Sequence, residues 1–434
     1  MDNIFVELEA RDILSLKCER ALLIEIQESD ESLTEAESHL EELSSLVMTM
    51  GIPAVESIIV KPREKKPGWL LGKGKIEELA DLADSVEADV LVFDTELTPT
   101  QQRNLERQFN LCVIDRQEVI LDIFADRAST REATLQVALA RMEYSLPRLT
   151  RAWTHLSRQR GGAKGTRGKG ETQLETDRRM VQARISKLKK ELDKVKQTRH
   201  LQRKKRSERP VPSIAIVGYT NAGKSSLLNG ITGSDVLVED KLFATLDPTS
   251  RRLKMEGGRE VILTDTVGFV RKLPHNLVDA FHSTLEEAVL ADLILHVVDG
   301  SSDEYQSHID TTREVLQELG AADVPRLLVF NKIDLPAGEA NRQVQEFAYP
   351  EALYISVHGE LGLEKLEEEI STRLDQLQQL TTLLIPSDRW DLVALLHRTS
   401  TVSSEEYVDD GVLLEVWLGE KDRNQFARFI QSGA

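Results

Sequence analysis

Gly218-Tyr219-Thr220-Asn221-Ala222-Gly223-Lys224-Ser225 decides the reading of this chain. An apolar run, Ser213-Ile214-Ala215-Ile216-Val217, precedes it and Ser226-Leu227-Leu228-Asn229 follows, so G-x-x-x-x-G-K-S stands between a strand and a helix. In that context the glycines at 218 and 223 let backbone N–H groups face inward around phosphates. Tyr219, Thr220, Asn221, Ala222 and Ser226 contribute backbone to the same cradle, Lys224 sets a cation at the β/γ oxygens, and the Ser225 hydroxyl suits Mg²⁺.

Three further motifs follow in order. Val261-Ile262-Leu263-Thr264 reads as a strand ending in Asp265-Thr266-Val267-Gly268, where Asp265 can hold Mg²⁺ through water and the Gly268 backbone can sense the γ-phosphate. Upstream, Phe243-Ala244-Thr245-Leu246-Asp247-Pro248-Thr249 offers Thr245 and Thr249 to complete the metal's coordination, with Thr245 favoured. After strands at 293–298 and 326–330 stands Asn331-Lys332-Ile333-Asp334. A carboxylate there accepts two hydrogen bonds from guanine N1–H and N2–H₂, a donor pair that adenine lacks, which selects GTP over ATP. A strand expected at 353–357 leads to a loop in which Ser356 and Val357 support the base. The metal set is then Ser225, Thr245 and Asp265, and the catalytic set Lys224, Thr245 and Gly268.

Outward from this core, the expected order is an N-terminal α/β domain (1–124), a basic helical hairpin (125–208), a P-loop domain with a mostly parallel sheet and flanking helices (209–375), and a small α+β tail (376–434). In the first, Ala21-Leu22-Leu23-Ile24-Glu25-Ile26 is a strand and Ser32-x-x-Glu35 a capping box opening a helix. Strands then alternate with helices through Thr98-Pro99 to Leu111-Cys112-Val113-Ile114, which implies a parallel sheet. In the hairpin, Val181, Ile185, Leu188, Leu192 and Val195 keep a 4-3-4-3 spacing, a short coiled-coil seam. Leu135, Leu139, Met142, Leu146 and Leu149 supply its antiparallel partner, with a bend at Pro147. Between them lies a glycine-rich basic tip at 161–170.

The 434 residues carry a formal charge of −18, against wholesale coating of DNA, yet residues 148–206 hold 20 basic and 5 acidic side chains, a local +15. Glycines beside that charge let backbone approach phosphates, and nothing resembles a base-reading module, so the segment points to RNA recognised by shape and phosphate. With 40% apolar and 29% charged residues the chain can bury real cores. Two cysteines, Cys18 and Cys112, and nine histidines without metal-ligand spacing suggest a reducing compartment and no structural zinc. No signal-peptide pattern or spanning apolar run is found, and a cytoplasmic protein is expected. Gly72-Lys73-Gly74-Lys75 is a weaker second phosphate-loop pattern.

These motifs resemble those of translation-factor-related GTPases and, among them, the HflX family, over about residues 20–375. Leu97-Thr98-Pro99-Thr100-Gln101-Gln102-Arg103-Asn104-Leu105-Glu106 and Ile120-Leu121-Asp122-Ile123-Phe124-Ala125 look like that family's N-terminal region, and Gly168-Lys169-Gly170-Glu171-Thr172-Gln173-Leu174-Glu175 like its linker. Departures are Glu132-Ala133-Thr134 for the usual Glu-Gly-Lys, Lys169 for a proline, and Val357 for an alanine. The resemblance implies a GTPase docking on the large (50S) ribosomal subunit through 23S rRNA, with the tip toward the peptidyl-transferase region, and separating stalled or stress-damaged 70S ribosomes. A GTPase for large-subunit assembly or RNA modification, and a nucleotide-gated RNA-binding scaffold, are the competing readings.

Phe269 stands where many GTPases carry a glutamine that orients the attacking water, which a phenyl ring cannot do, so slow intrinsic hydrolysis is expected. Asp334→Asn, which replaces a double acceptor with an amide, is expected to shift preference from GTP toward xanthosine triphosphate. Competition binding of the two nucleotides checks this; full retention of GTP preference would place base recognition elsewhere.

Overall fold

The computed structural model describes residues 18–151, 167–206, 211–233, 242–243, 245–255, 260–272 and 286–431. They fall into two compact units: one takes in the described residues up to 194 together with 242 and 243, the other the remainder.

In the first unit, β1 (Ala21–Ile26), β2 (Ala54–Val60), β3 (Val90–Phe93) and β4 (Cys112–Asp115) form a parallel sheet in the order β2-β1-β3-β4. The helices between them start where local chemistry dictates. Ser32 and Glu35 close the expected capping box on α1 (Leu33–Thr49). Gly72 is the N-cap of α2 (Lys73–Ser85), so the glycine-lysine repeat opens an ordinary helix, and Lys73 and Lys75 pair with Glu77 and Glu78 of that helix. Thr98 makes a second capping box with Gln101 on α3 (Pro99–Phe109). The buried face of β1 and β3, with Leu79, Leu105 and Phe109 from the helices, makes the core. The fold also gathers Glu25, Glu31 and His39, whose ligating atoms lie within 4.8 Å of one another, a grouping that linear spacing does not disclose.

The hairpin is rooted in this unit. Helices α4 (Arg116–Arg127) and α5 (Arg131–Ser145) follow β4, and Pro147, lacking an N–H, coincides with a change to a 3₁₀ segment, Leu146–Arg151. Phe243 meets Phe124 of α4 edge-on, with ring centroids 4.6 Å apart. Helix α6 (Arg167–Arg206) returns, and Val181, Ile185, Leu188 and Leu192 pack on Leu139, Met142 and Leu149 as the seam spacing requires. Residues 168–170 lie on the backbone of this helix rather than in a glycine-rich turn, because the helix begins at Arg167; tip residues 161–166 lie outside the described residues.

A buried polar network fixes the root. Arg148 donates from Nε to Gln102 (3.0 Å), from Nη1 to the Tyr144 carbonyl (3.1 Å) and from Nη2 to the Leu97 carbonyl (2.7 Å), while its guanidinium lies 3.6 Å from the Tyr144 ring centroid. Asp115 accepts from Leu97 N–H, Glu118 N–H and the Tyr144 hydroxyl, each at 3.0 Å. Burial, helped by Glu118, pushes its carboxyl up to about 6 against the pull of these donors and Arg148.

In the second unit, six strands run β10-β9-β8-β5-β7-β6: β5 (Ser213–Gly218), β6 (Thr249–Lys254), β7 (Glu260–Asp265), β8 (Leu293–Asp299), β9 (Arg326–Asn331) and β10 (Leu353–Tyr354). All pairs are parallel except β6 with β7, which is antiparallel. β5 lies between β7 and β8, so the loop at its carboxyl end opens where the strand order reverses, the usual ligand position in such sheets. β10 is shorter than the expected 353–357 strand, because Ser356 turns back to exchange backbone hydrogen bonds with Leu361. The tail is an antiparallel sheet of β11 (Gln378–Ile385), β12 (Thr401–Val408) and β13 (Gly411–Gly419), ordered β11-β13-β12, with α-helix Trp390–Thr399. The chain then runs through a short helix, Glu420–Gln425, and a 3₁₀ turn, Ala427–Phe429. Among the described residues no helix is long and apolar enough to cross a membrane.

Arg148→Ala would strand the buried acceptors and leave Asp115 without its cation. Such a break costs about 3–5 kcal/mol, so a clear fall in the unfolding midpoint of the first unit is expected, read by denaturant titration.

Candidate functional site

The phosphate loop joins β5 to α7 (Lys224–Thr232). Gly223, at φ +92°, is the N-cap, and a Cβ there would stand 2.2 Å from the side-chain nitrogen of Asn331. No other residue fits. Asn331, from the end of β9, donates to the Ala222 carbonyl at 3.0 Å and accepts from Val357 N–H at 3.2 Å. The guanine-reading motif is thereby tied both to the phosphate loop and to the loop expected beside the base. Ser356 is buried and accepts from Gly359 N–H at 2.8 Å, which shapes that second loop. Lys332 pairs with Asp299 at 2.7 Å, whereas Asp334 stands exposed beyond it.

At the other end of the cleft the expected metal set converges. The Ser225 hydroxyl donates to Asp265 Oδ2 at 2.6 Å, and Thr245 Oγ1 lies 2.8 Å from Ser225 Oγ. Thr249 begins β6 opposite Asp265 in the ladder, so it is Thr245 that reaches Ser225. Asp265 Oδ1 is buried without a hydrogen bond of normal geometry among the described residues. Two hydroxyls beside one buried carboxylate, hard oxygen donors all, suit Mg²⁺.

Electrostatics agree with an anion arriving here. Lys224 is buried, with Nζ donating to the carbonyls of Gly218 (3.1 Å) and Tyr219 (2.7 Å). Burial pulls its ammonium down to about 8; Asp265 opposes this and Lys332 adds to it. Burial likewise pushes Asp265 up, held back by Lys224 and the hydroxyls of Ser225 and Thr245. Phe269 is fully buried, so its ring packs inside the fold and offers nothing to a water. Asn221 sits on the loop, and Ser226 lies in the first turn of α7. Linear reading missed the structural duty of Asn331 and the Asp299 partner of Lys332; each depends on segments distant in sequence.

A phosphate loop with a buried lysine, two hydroxyls converging on a buried carboxylate and an Asn-Lys-Ile-Asp strand end fit one class: a P-loop guanine-nucleotide hydrolase. Comparison with known proteins agrees. Residues 37–125 match the family model "GTP-binding GTPase N-terminal", 127–206 "GTP-binding GTPase Middle Region", and 213–332 "50S ribosome-binding GTPase". GTPase HflX of Akkermansia muciniphila is 47% identical over 95% of this chain and 97% of its own length. GTPase HflX of Escherichia coli K12 is 41% identical over 91% and 92%. A solved GDP complex of the protein SsGBP is 27% identical, covering 83% of this chain and 99% of its own, with a TM-score of 0.47. The chain belongs to the HflX family of GTPases, and its activity is GTP hydrolysis.

Phosphate binding needs Lys224 charged, so above its shifted value GTP binding takes up a proton. Raising the pH from 7 to 9 is expected to weaken GTP affinity about tenfold. Titration with a fluorescent GTP analogue across that range checks it.

Proposed function

We propose that this GTPase binds the 50S subunit through its N-terminal α/β region and basic hairpin, separates 70S ribosomes stalled or damaged by stress, and leaves on GTP hydrolysis. The observation that carries this reading is the hairpin. Its apolar seam is buried, while Arg178, Arg179, Lys187, Lys189, Lys190 and Lys194 are left exposed along α6, in the segment of local charge +15. A basic helical arm on a chain of net charge −18 suits the phosphates of 23S rRNA rather than DNA, and residues 213–332 match a family of 50S ribosome-binding GTPases. The setting is cytoplasmic.

In this reading Lys224 and the backbone from Gly218 to Ser226 hold the phosphates, and the Gly268 amide senses the γ-phosphate. Ser225, Thr245 and Asp265 would hold Mg²⁺, which would supply positive charge against the β/γ oxygens. Asp334 reads the guanine edge, with Lys332, Ser356 and Val357 framing the ring and Asn331 fixing that frame. With Phe269 turned inward, the isolated chain hydrolyses GTP at about 10⁻⁴ to 10⁻² s⁻¹, as unassisted P-loop GTPases do, and 50S subunits raise that rate.

Sucrose-gradient sedimentation of 70S ribosomes with the protein and a non-hydrolysable GTP analogue tests this. Conversion to subunits, lost on deleting residues 161–170 while GTP affinity stays within a few-fold, is the expected result. Intact 70S particles with binding only to large-subunit precursors would instead favour an assembly GTPase. Negligible multiple turnover with and without ribosomes would favour a scaffold.

A further inference from the structure

Tyr219 is the second residue of the phosphate loop, where only its backbone has a part in holding phosphate. Its side chain faces away from that task. The phenol oxygen accepts the N–H of Arg271 at 2.7 Å, and the ring stacks on His308 of helix Tyr305–Glu318, with centroids 3.9 Å apart and planes 16° from parallel. The residue is buried at 7% exposure.

Around it, the chain after Asp265 runs along the phosphate loop. Phe269 donates its N–H to the Gly218 carbonyl at 3.1 Å and accepts from Thr220 N–H at 2.7 Å, making a parallel bridge between Tyr219 and Phe269. Gly268 is pressed so close that a Cβ on it would lie 2.8 Å from Thr220 Cα and 3.0 Å from Lys224 Nζ. Residues 269–271 are therefore laced to the loop by three hydrogen bonds, and the third is made by the Tyr219 phenol.

This lacing has a chemical consequence because Phe269 is fully buried and has no group to present to water. Gly268, Phe269 and Val270 carry no polar side-chain group, so whatever they turn toward the nucleophile must be backbone, and a backbone amide has no rotamer of its own. Its aim is set by what holds the segment. We propose that Tyr219 is a positioning residue for GTP hydrolysis: its phenol oxygen, oriented by the His308 ring, aims the backbone of residues 268–271 at the γ-phosphate end of the site. The proposal rests on hydrolysis at this site and is independent of ribosome binding.

Tyr219→Phe in the full chain keeps the ring, its stacking and the loop backbone, and removes the hydroxyl that accepts the Arg271 N–H. Single-turnover GTP hydrolysis is expected to fall about tenfold, the effect of one hydrogen bond near 1.4 kcal/mol, while affinities for labelled GTP and GDP stay within twofold. Amide exchange at Arg271, followed by mass spectrometry, is expected to accelerate. His308→Leu removes the flat stacking partner and is expected to slow hydrolysis by a smaller factor alone, and to add nothing to Tyr219→Phe. An unchanged rate in Tyr219→Phe would overturn the proposal, as would a rate loss matched by equal loss of affinity for both nucleotides, which would mark general damage to the loop. Full additivity of the two substitutions would overturn the role given to His308.

Discussion

Asn331 donates one amide hydrogen to the Ala222 carbonyl and takes the N–H of Val357 on its own oxygen, so a planar group of a few atoms joins three loops. The residue is 3% exposed, in a setting where each unmade hydrogen bond costs about 1–3 kcal/mol. Its nitrogen also occupies the space above Gly223 that any side chain would need. The phosphate loop and the end of β9 are thus built on one another: the loop keeps its shape because the amide sits against it, and the amide is fixed because the loop closes beneath it. Single-residue change on either side leaves the other without support.

The electrostatic design follows from the same closeness. Lys224 and Asp265 are both buried and each counteracts the shift that burial imposes on the other. Neither is satisfied in full by protein groups, since Lys224 rests on neutral carbonyls and one oxygen of Asp265 lacks a normal hydrogen bond among the described residues. The fold holds an ammonium and a carboxylate in place in a low-dielectric cleft, so an incoming polyphosphate with its cation meets charges already oriented.

Much of this was legible in the sequence because its grammar is local. The phosphate loop, the capping boxes of Ser32 and Thr98, and the seam from Val181 to Leu192 each encode their geometry within a few residues of themselves. What stayed hidden is non-local or pattern-poor. β6 buries only Leu253, with Ser250, Arg251, Arg252 and Lys254 exposed, so it shows no alternation to betray a strand; pairing with β7 makes it one. The Arg148 network joins residues 97, 102, 115 and 144, which no spacing rule connects. The sequence favours Thr245 over Thr249 without separating them; the ladder register and the approach of Thr245 to Ser225 do so.

That register also limits how far Thr245, the threonine beside Ser225, can travel. Thr249 is paired with Asp265 at the start of β6, and only Leu246, Asp247 and Pro248 lie between it and Thr245. Four fully extended residue steps span at most about 14 Å, and Pro248, with φ fixed, shortens the practical reach. Thr245 therefore moves on a short tether whose far end is fixed beside its own target. Leaving the metal site is a small excursion, and returning is a search through a small volume rather than a refolding of the segment.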